Sequence, residues 1–86
     1  MVNTFVVFER GTQVEFNGVI FKCTQHFISP KGHWNSYEMC VYDPKLTLYA
    51  VFMTSEPTDF NAMLDVFYAL PGDKLYRLDE FNINQL

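Results

Sequence analysis

Residues 13–24 read QVEFNGVIFKCT, and this stretch decides the fold of the chain. Asn17-Gly18 separates two runs in which apolar and polar residues alternate. This dipeptide is typical of a two-residue type I′ hairpin turn, because both turn positions require positive φ. The turn sets the register, so Phe16 is expected opposite Val19, and every second residue then shares a face. The apolar face is predicted to hold Val14, Phe16, Val19, Phe21 and Cys23.

A second hairpin is predicted over residues 36–54, SYEMCVYDPKLTLYAVFMT, after a loop punctuated by Pro30 and Gly32. A four-residue turn at 43–46 places Tyr42 opposite Thr47 and Val41 opposite Leu48. The predicted inner face holds Tyr37, Met39, Val41, Leu48, Ala50 and Phe52. The predicted outer face holds Glu38, Cys40, Tyr42, Thr47, Tyr49, Val51 and Met53. That outer set is unusually apolar for a face that meets water.

The remaining segments predict a strand at Thr4–Glu9 and a helix after Met53. Phe60, Met63, Leu64, Phe67 and Leu70 follow the spacing of one buried helical stripe. Thr58 or Ser55 is the expected N-cap, and Pro71-Gly72 is expected to end the helix with a left-handed glycine. Residues 73–86 fit either a short second helix or a last strand. The prediction is an α+β fold, a roughly four-stranded, mostly antiparallel sheet with one or two C-terminal helices on one face.

Length and composition indicate one globular domain spanning residues 1–86. The chain is 49% hydrophobic, which favours a packed core over disorder. It has no transmembrane segment and no signal-peptide pattern at residues 1–10, so a cytoplasmic protein with no membrane partner is expected. The net charge of −4 arises entirely after residue 50. An acidic chain is poorly suited to binding nucleic acid directly and suits a partner with a basic surface.

The sequence offers no catalytic motif, and the prediction is a protein that is not an enzyme and has no cofactor. Cys23 and Cys40 fall on opposite faces of the predicted sheet, so they are expected to be free thiols. A zinc site from these cysteines with His26 and His33 is the alternative. The spacings C-x2-H and H-x6-C are irregular for a zinc site, however, and the two cysteines are predicted on opposite faces of the sheet.

Residues 67–77, FYALPGDKLYR, carry a resemblance to a known family. The pattern Phe67-Tyr68-x-Leu70-Pro71-Gly72-x-x-Leu75-x-Arg77 resembles the helix-breaking segment of a small phage anti-CRISPR inhibitor of type I-F systems. The resemblance covers residues 58–78. It implies a sheet followed by two helices, in a rigid protein that coats the surveillance complex in the bacterial cytoplasm and blocks target DNA from pairing. No functional residue is carried across, because the likeness does not reach the sheet.

A second, competing resemblance lies in the first hairpin. Gly11-x-x-Val14-x-Phe16-Asn17-Gly18-x-x-Phe21, together with Pro30 and Trp34, is similar to the hairpin core of small chitin-binding modules. It implies a ligand site built from exposed aromatic side chains. The alternative function is therefore a carbohydrate- or small-ligand-binding module that uses Trp34. A homodimeric accessory protein is the third hypothesis.

The leading hypothesis is a non-enzymatic, phage-encoded inhibitor that binds a bacterial defence complex and sterically blocks nucleic-acid target binding. Interfaces are enriched in aromatic residues and methionine at their centres. The outer sheet face is therefore the predicted contact surface, unless a C-terminal segment or a dimer mate covers it. The predicted partner-binding residues are Tyr42, Tyr49, Val51, Met53, Glu15, Glu38 and Trp34.

Overall fold

A computed structural model describes residues 8–78 of the chain, and these form a sheet with one helix. The elements are β1 (Gln13–Phe16), β2 (Val19–Ile28), β3 (Asn35–Asp43), β4 (Leu48–Thr54), α1 (Phe60–Ala69), a 3-10 turn (Gly72–Lys74) and β5 (Tyr76–Arg77). All strand pairs are antiparallel, in the order β1-β2-β3-β4-β5. The predicted α+β class is confirmed, although the sheet has five strands rather than four.

The first hairpin is as predicted. Phe16 lies opposite Val19 and Val14 opposite Phe21. Asn17 and Gly18 have φ of 53° and 78°, the left-handed values that a type I′ turn requires. The strand predicted at Thr4–Glu9 lies mostly outside the described residues, and its last two residues, 8 and 9, are not in a strand.

Strand β2 is longer than predicted, and it contains a bulge. Cys23 pairs with Met39 and Gln25 with Glu38, so Thr24 is the extra residue on its strand. A bulge of this kind shifts the alternation of side chains by one residue. The segment after it, predicted as loop, continues the strand to Ile28, and the loop is confined to residues 29–34.

The turn predicted for the second hairpin is placed one residue too early, so the predicted register is wrong. Asp43 is the last residue of β3, the turn spans residues 44–47, and Tyr42 lies opposite Tyr49. One contact favours this turn, in which the Asp43 carboxylate accepts a hydrogen bond from the N–H of Lys45 at 3.0 Å. Thr47 closes the turn with a φ of 53°, a value that a β-branched residue rarely adopts. Because the pairing moves by two residues in β4, each side chain stays on its predicted face.

Helix α1 packs on the inner face of the sheet through the predicted stripe. Met63 and Phe67 are 2% and 1% exposed, and the rest of the stripe packs partly buried against the same core. Phe60 lies within ring contact of Phe16 at 5.3 Å and of Phe21 at 5.0 Å. These contacts join the first hairpin to the start of the helix. Burial of the aromatic rings there contributes to the stability of the fold.

The N-cap of α1 differs from the prediction, and the helix ends just before Pro71-Gly72 as predicted but without a left-handed glycine. Asp59, not Thr58 or Ser55, is the N-cap, and its carboxylate accepts from the N–H of Ala62 at 3.1 Å. At the other end Leu70 and Pro71 are extended, as expected of a residue before proline and of proline itself. Gly72 then opens the 3-10 turn without positive φ. The chain next enters β5, so Tyr76 and Arg77 form a strand and not a second helix.

Within residues 8–78 no helix is long and apolar enough to cross a membrane.

Candidate binding surface

The outer face of the sheet is divided into a covered half and an exposed half. The covered half surrounds Tyr42, which is only 3% exposed and whose hydroxyl donates to the carbonyl oxygen of Leu78 at 3.3 Å. Cys40, its neighbour on the same face, is 2% exposed. Tyr49 is half-buried and its ring contacts that of Tyr76 at 5.4 Å. This half of the face is part of the core.

The prediction that Tyr42 is an exposed anchor is therefore wrong. The sequence pattern places it correctly on the outer face, but Leu78, far along the chain, brings its carbonyl group onto the tyrosine hydroxyl. A buried hydroxyl with a satisfied hydrogen bond is a structural contact. The alternative raised above was that a C-terminal segment covers the outer face. In the described residues, Leu78 makes such a contact with this half of the face.

The exposed half lies toward the β2–β3 loop, and we call it the distal patch. Three apolar side chains form it: Phe27 on β2 and Val51 and Met53 on β4, exposed by 45%, 45% and 50%. Glu38 lies between these strands, opposite both Gln25 and Met53. The patch thus consists of apolar side chains around one acidic residue, the composition expected of a protein-binding surface.

The bulge at Thr24 holds Glu38 in place. The Thr24 hydroxyl lies 2.8 Å from the Glu38 carboxylate oxygen Oε1 and 3.1 Å from its backbone oxygen. The bulge also sets the face of the next residues, so that Phe27 lies on the outer face with Glu38 and not on the inner face. These contacts hold the Glu38 side chain at the centre of the distal patch.

The β2–β3 loop presents Trp34 at the same end of the sheet. Ser29, which is buried, organises the loop: its Oγ accepts from the N–H groups of His33 at 2.7 Å and Trp34 at 3.3 Å. Its N–H also donates to the carbonyl of Trp34 at 3.0 Å. Trp34 is nevertheless 54% exposed. The loop holds a large aromatic side chain in solvent on a hydrogen-bonded frame.

A shallow groove of about 260 Å³ runs along this loop, lined by Ser29, Pro30, Lys31, His33 and Trp34. The surrounding segment, residues 16–37, contains two lysines and both histidines of the chain and no acidic residue. Among the residues that line the groove, Lys31 carries a positive charge and none is acidic. A groove with one aromatic wall and cationic neighbours can hold a small ligand.

The cysteines and histidines do not form a common site. Cys23 and Cys40 are free and buried, and they lie on opposite faces. His26 bonds Asn35 at 2.8 Å and stacks on the ring of Tyr37 at 4.4 Å. In the described part of the chain, no three histidine, cysteine or acidic side chains are grouped so that they could hold a metal ion.

The structure brings together only some of the predicted contact residues. Val51, Met53 and Glu38 lie in the distal patch, and Trp34 lies at its end of the sheet. Glu15 is exposed on β1, away from them. Sequence reasoning missed Phe27, which it assigned to a loop. The signal available was the unbroken run VIFKCTQHFI, which has no glycine or proline before Ser29-Pro30.

Comparison of the chain with protein-family models, curated proteins and solved structures gives no match.

Proposed function

We propose that the protein is a non-enzymatic inhibitor that binds a bacterial defence complex and sterically blocks its access to a nucleic-acid target. The observation that carries this proposal is the distal patch, where Phe27, Val51 and Met53 are exposed around a fixed glutamate. Several exposed apolar side chains on one sheet face are characteristic of interaction surfaces. No step of chemistry is needed for inhibition of this kind.

The structure modifies two parts of the hypothesis. The contact surface moves from the centre of the outer face to its distal half, because Tyr42 is buried. The segment that resembles the anti-CRISPR family, residues 67–77, contains the helix end and a strand where the resemblance implies a second helix. The proposed target, a type I-F surveillance complex, rests on that resemblance and on the acidity of the chain, which suits a basic surface.

The test is a pull-down with the tagged protein from a bacterial lysate that contains the assembled type I-F complex. We expect stoichiometric retention of the complex, weakened at higher salt because the charges at an interface are screened. Replacing Phe27 and Met53 together by serine should abolish retention, since both side chains are exposed and the fold does not depend on them. The matched control replaces Leu46 and Val66 by serine, which are 51% and 45% exposed and lie outside the patch, and should bind normally.

Two results would contradict the proposal. Retention of the complex by the folded Phe27→Ser, Met53→Ser variant would exclude the distal patch as the contact surface. If the wild-type protein elutes as a free monomer with no complex, the surveillance complex is not its target.

A second candidate function is a carbohydrate- or small-ligand-binding module, and the groove beside Trp34 favours it. Trp34 is the single tryptophan of the chain, so its fluorescence reports on this groove alone. Saturable quenching of Trp34 fluorescence by a member of a panel of oligosaccharides would support this function. Calorimetry should then show that the Trp34→Phe variant no longer binds that oligosaccharide. An unchanged spectrum across the panel would exclude it.

A further inference from the structure

The tip of the first hairpin places an exposed asparagine directly before a glycine. Asn17 and Gly18 form the two-residue turn between β1 and β2, and both are exposed. A β-carbon added at Gly18 would meet no atom within 4 Å, so the space around its backbone is open. Among the described residues, neither the Asn17 side chain nor the N–H of Gly18 has a hydrogen-bond partner. Both groups are therefore available to react with each other.

An asparagine followed by glycine can convert itself to an acid. The backbone nitrogen of Gly18 loses its proton and attacks Cγ of Asn17, without hindrance because glycine has no side chain. A five-membered succinimide ring closes, and Nδ2 leaves as ammonia with that proton. Water then opens the ring at one of two carbonyl carbons. Opening at Cγ gives aspartate, and opening at the backbone carbonyl gives isoaspartate, in which the chain runs through the side-chain carboxyl group. The net reaction consumes one water and releases one ammonia, with no oxidation or reduction.

The conformation of the turn determines whether this ring can close in the folded chain. The first central residue of a type I′ turn has φ of about 60° and ψ of about 30°, and the φ of Asn17 is 53°. At that ψ the nitrogen of Gly18 points away from the Asn17 side chain. Ring closure requires a ψ of about −120°, the value at the same position of a type II′ turn. Because φ is the same in both turn types, one flip of the Asn17–Gly18 peptide brings the reacting atoms together.

The hairpin can accommodate that flip. Type I′ and type II′ turns both match the twist of hairpin strands, so Phe16 can stay opposite Val19. Gly18 tolerates either sign of φ, as the flip requires. A type II′ turn prefers glycine at the position of Asn17, however, so the flipped turn is a minor state. Ring closure should therefore proceed in the folded chain, but more slowly than in the unfolded chain.

The two products differ in their effect on the core. Aspartate before glycine is itself a favoured type I′ sequence, so aspartate at position 17 preserves the turn. Isoaspartate adds one atom to the backbone between Phe16 and Val19, and the length of a hairpin turn sets the register of its strands. Val19 is 2% exposed, and the Phe16 ring stacks on Phe60 at 5.3 Å. Isoaspartate therefore disturbs the contact that joins the first hairpin to α1.

From these observations we propose that Asn17 is a site of spontaneous modification, at which the folded protein forms isoaspartate through a succinimide and loosens its first hairpin. The reaction needs only water and the two turn residues. The turn lies at the opposite end of β2 from Phe27 and the distal patch. The modification is therefore a property beyond the proposed function, and neither depends on the other.

The test incubates the folded protein at mildly alkaline pH, which favours loss of the amide proton, and follows Asn17 by mass spectrometry. Trypsin cleaves after Arg10 and Lys22 and releases residues 11–22 as one peptide. Chromatography separates its asparagine, aspartate and isoaspartate forms. Incubation in heavy-oxygen water labels each residue converted during that time and excludes conversion during digestion. We expect isoaspartate in excess of aspartate, because the ring carbonyl next to the α-carbon is the more electrophilic one.

Two other asparagines serve as controls in the same sample. Asn61 is exposed, but it lies in α1, and the N–H of the next residue donates to the Asp59 carboxylate at 3.1 Å. The amide oxygen of Asn35 lies 2.8 Å from Nε2 of His26. When half of Asn17 is converted, both should still be asparagine. The unfolded chain in strong denaturant should convert Asn17 faster than the folded protein does.

The Asn17→Asp variant separates the effect of the longer backbone from that of the added negative charge. This variant should unfold at the same urea concentration as the wild type, because it keeps the turn. The isoaspartate form, purified from the incubated protein, should unfold at a lower urea concentration than both.

Three outcomes would overturn the proposal. An Asn17 that stays intact in the folded protein, while the unfolded chain converts, would show that the turn prevents ring closure. Earlier conversion of Asn35 or Asn61 would show that the turn is not the preferred site. Equal urea midpoints for the isoaspartate form and Asn17→Asp would show that the hairpin tolerates the extra backbone atom and is not loosened by it.

Discussion

The hydrogen bond between Tyr68 and Asp43 ties helix α1 to the end of β3. The Tyr68 hydroxyl lies 2.8 Å from Oδ2 of Asp43, and the other carboxylate oxygen of Asp43 accepts from the N–H of Lys45. Asp43 is 6% exposed, and the buried carboxylate depends on these two donors. The hydrogen bond to Asp43, followed by partial burial and the negative charge of the carboxylate, raises the pKa of Tyr68.

We predict that Tyr68→Phe lowers the free energy of unfolding by about 0.5–1.5 kcal/mol at neutral pH, since it removes one donor from the Asp43 carboxylate at a part-buried position. The pKa of Tyr68 is higher in the folded than in the unfolded chain, so this contribution is complete below the ordinary tyrosine pKa. It is lost as pH rises through the folded value. Urea unfolding from pH 8 upward measures it. A difference between wild type and variant that stays constant into the alkaline range would contradict the role of the hydroxyl.

Among the elements, the first hairpin depends on its two turn residues and the end of α1 does not depend on a left-handed glycine. Gly18 has φ of 78°, whereas the φ of Gly72 is not positive. A β-carbon added at either position meets no atom within 4 Å. The two glycines therefore differ in backbone conformation and not in available space.

We predict opposite effects of alanine at these two glycines. Gly18→Ala forces a side chain into the left-handed region and should cost about 1–2 kcal/mol of stability. Gly72→Ala should be neutral or stabilise the fold by about 0.4–1 kcal/mol, because it restricts only the unfolded chain. Urea unfolding of both variants gives the comparison. Equal destabilisation by both would mean that the turn geometry at residues 17 and 18 does not determine the stability of the hairpin.

At the scale of the whole molecule, local patterns predicted most of the fold. The Asn17-Gly18 turn and the stripe of α1 were predicted correctly because each follows from residues close in sequence. The bulge at Thr24 was not, since nothing in the alternation of QHFI shows where an extra residue enters the strand. The second turn was placed one residue early, because Asp43 fits both the strand and the turn.

The candidate site was harder to predict than the fold. Its sheet residues were assigned to the correct face, but Tyr42 is buried and its hydroxyl bonds Leu78, 36 residues along the chain, and no periodicity encodes contacts over such a separation. Trp34 and Met53 are exposed, and Met53 lies on the predicted outer face, while their role in partner binding stays a prediction.

The two cysteines are buried on opposite faces of the sheet, so their reactivity measures the accessibility of each face. Cys23 lies in the inner core at 0% exposure, and Cys40 lies under the covered half of the outer face at 2%. Burial raises the pKa of Cys40 to about 11, and burial also raises that of Cys23. Since the thiolate is the reactive form, both cysteines should be inert in the folded protein near neutral pH.

We predict that an alkylating reagent labels the two cysteines at the same slow rate, because a single small domain unfolds as one cooperative unit. Digestion and mass spectrometry after timed labelling give each rate separately, and added urea should raise both rates in parallel. The unfolded chain, labelled in strong denaturant, serves as the control for intrinsic reactivity. Faster labelling of Cys40 without denaturant would show that the contact of Leu78 with Tyr42 opens on its own. The covered half of the outer face would then be accessible without unfolding of the core. It would belong to the candidate binding surface together with the distal patch.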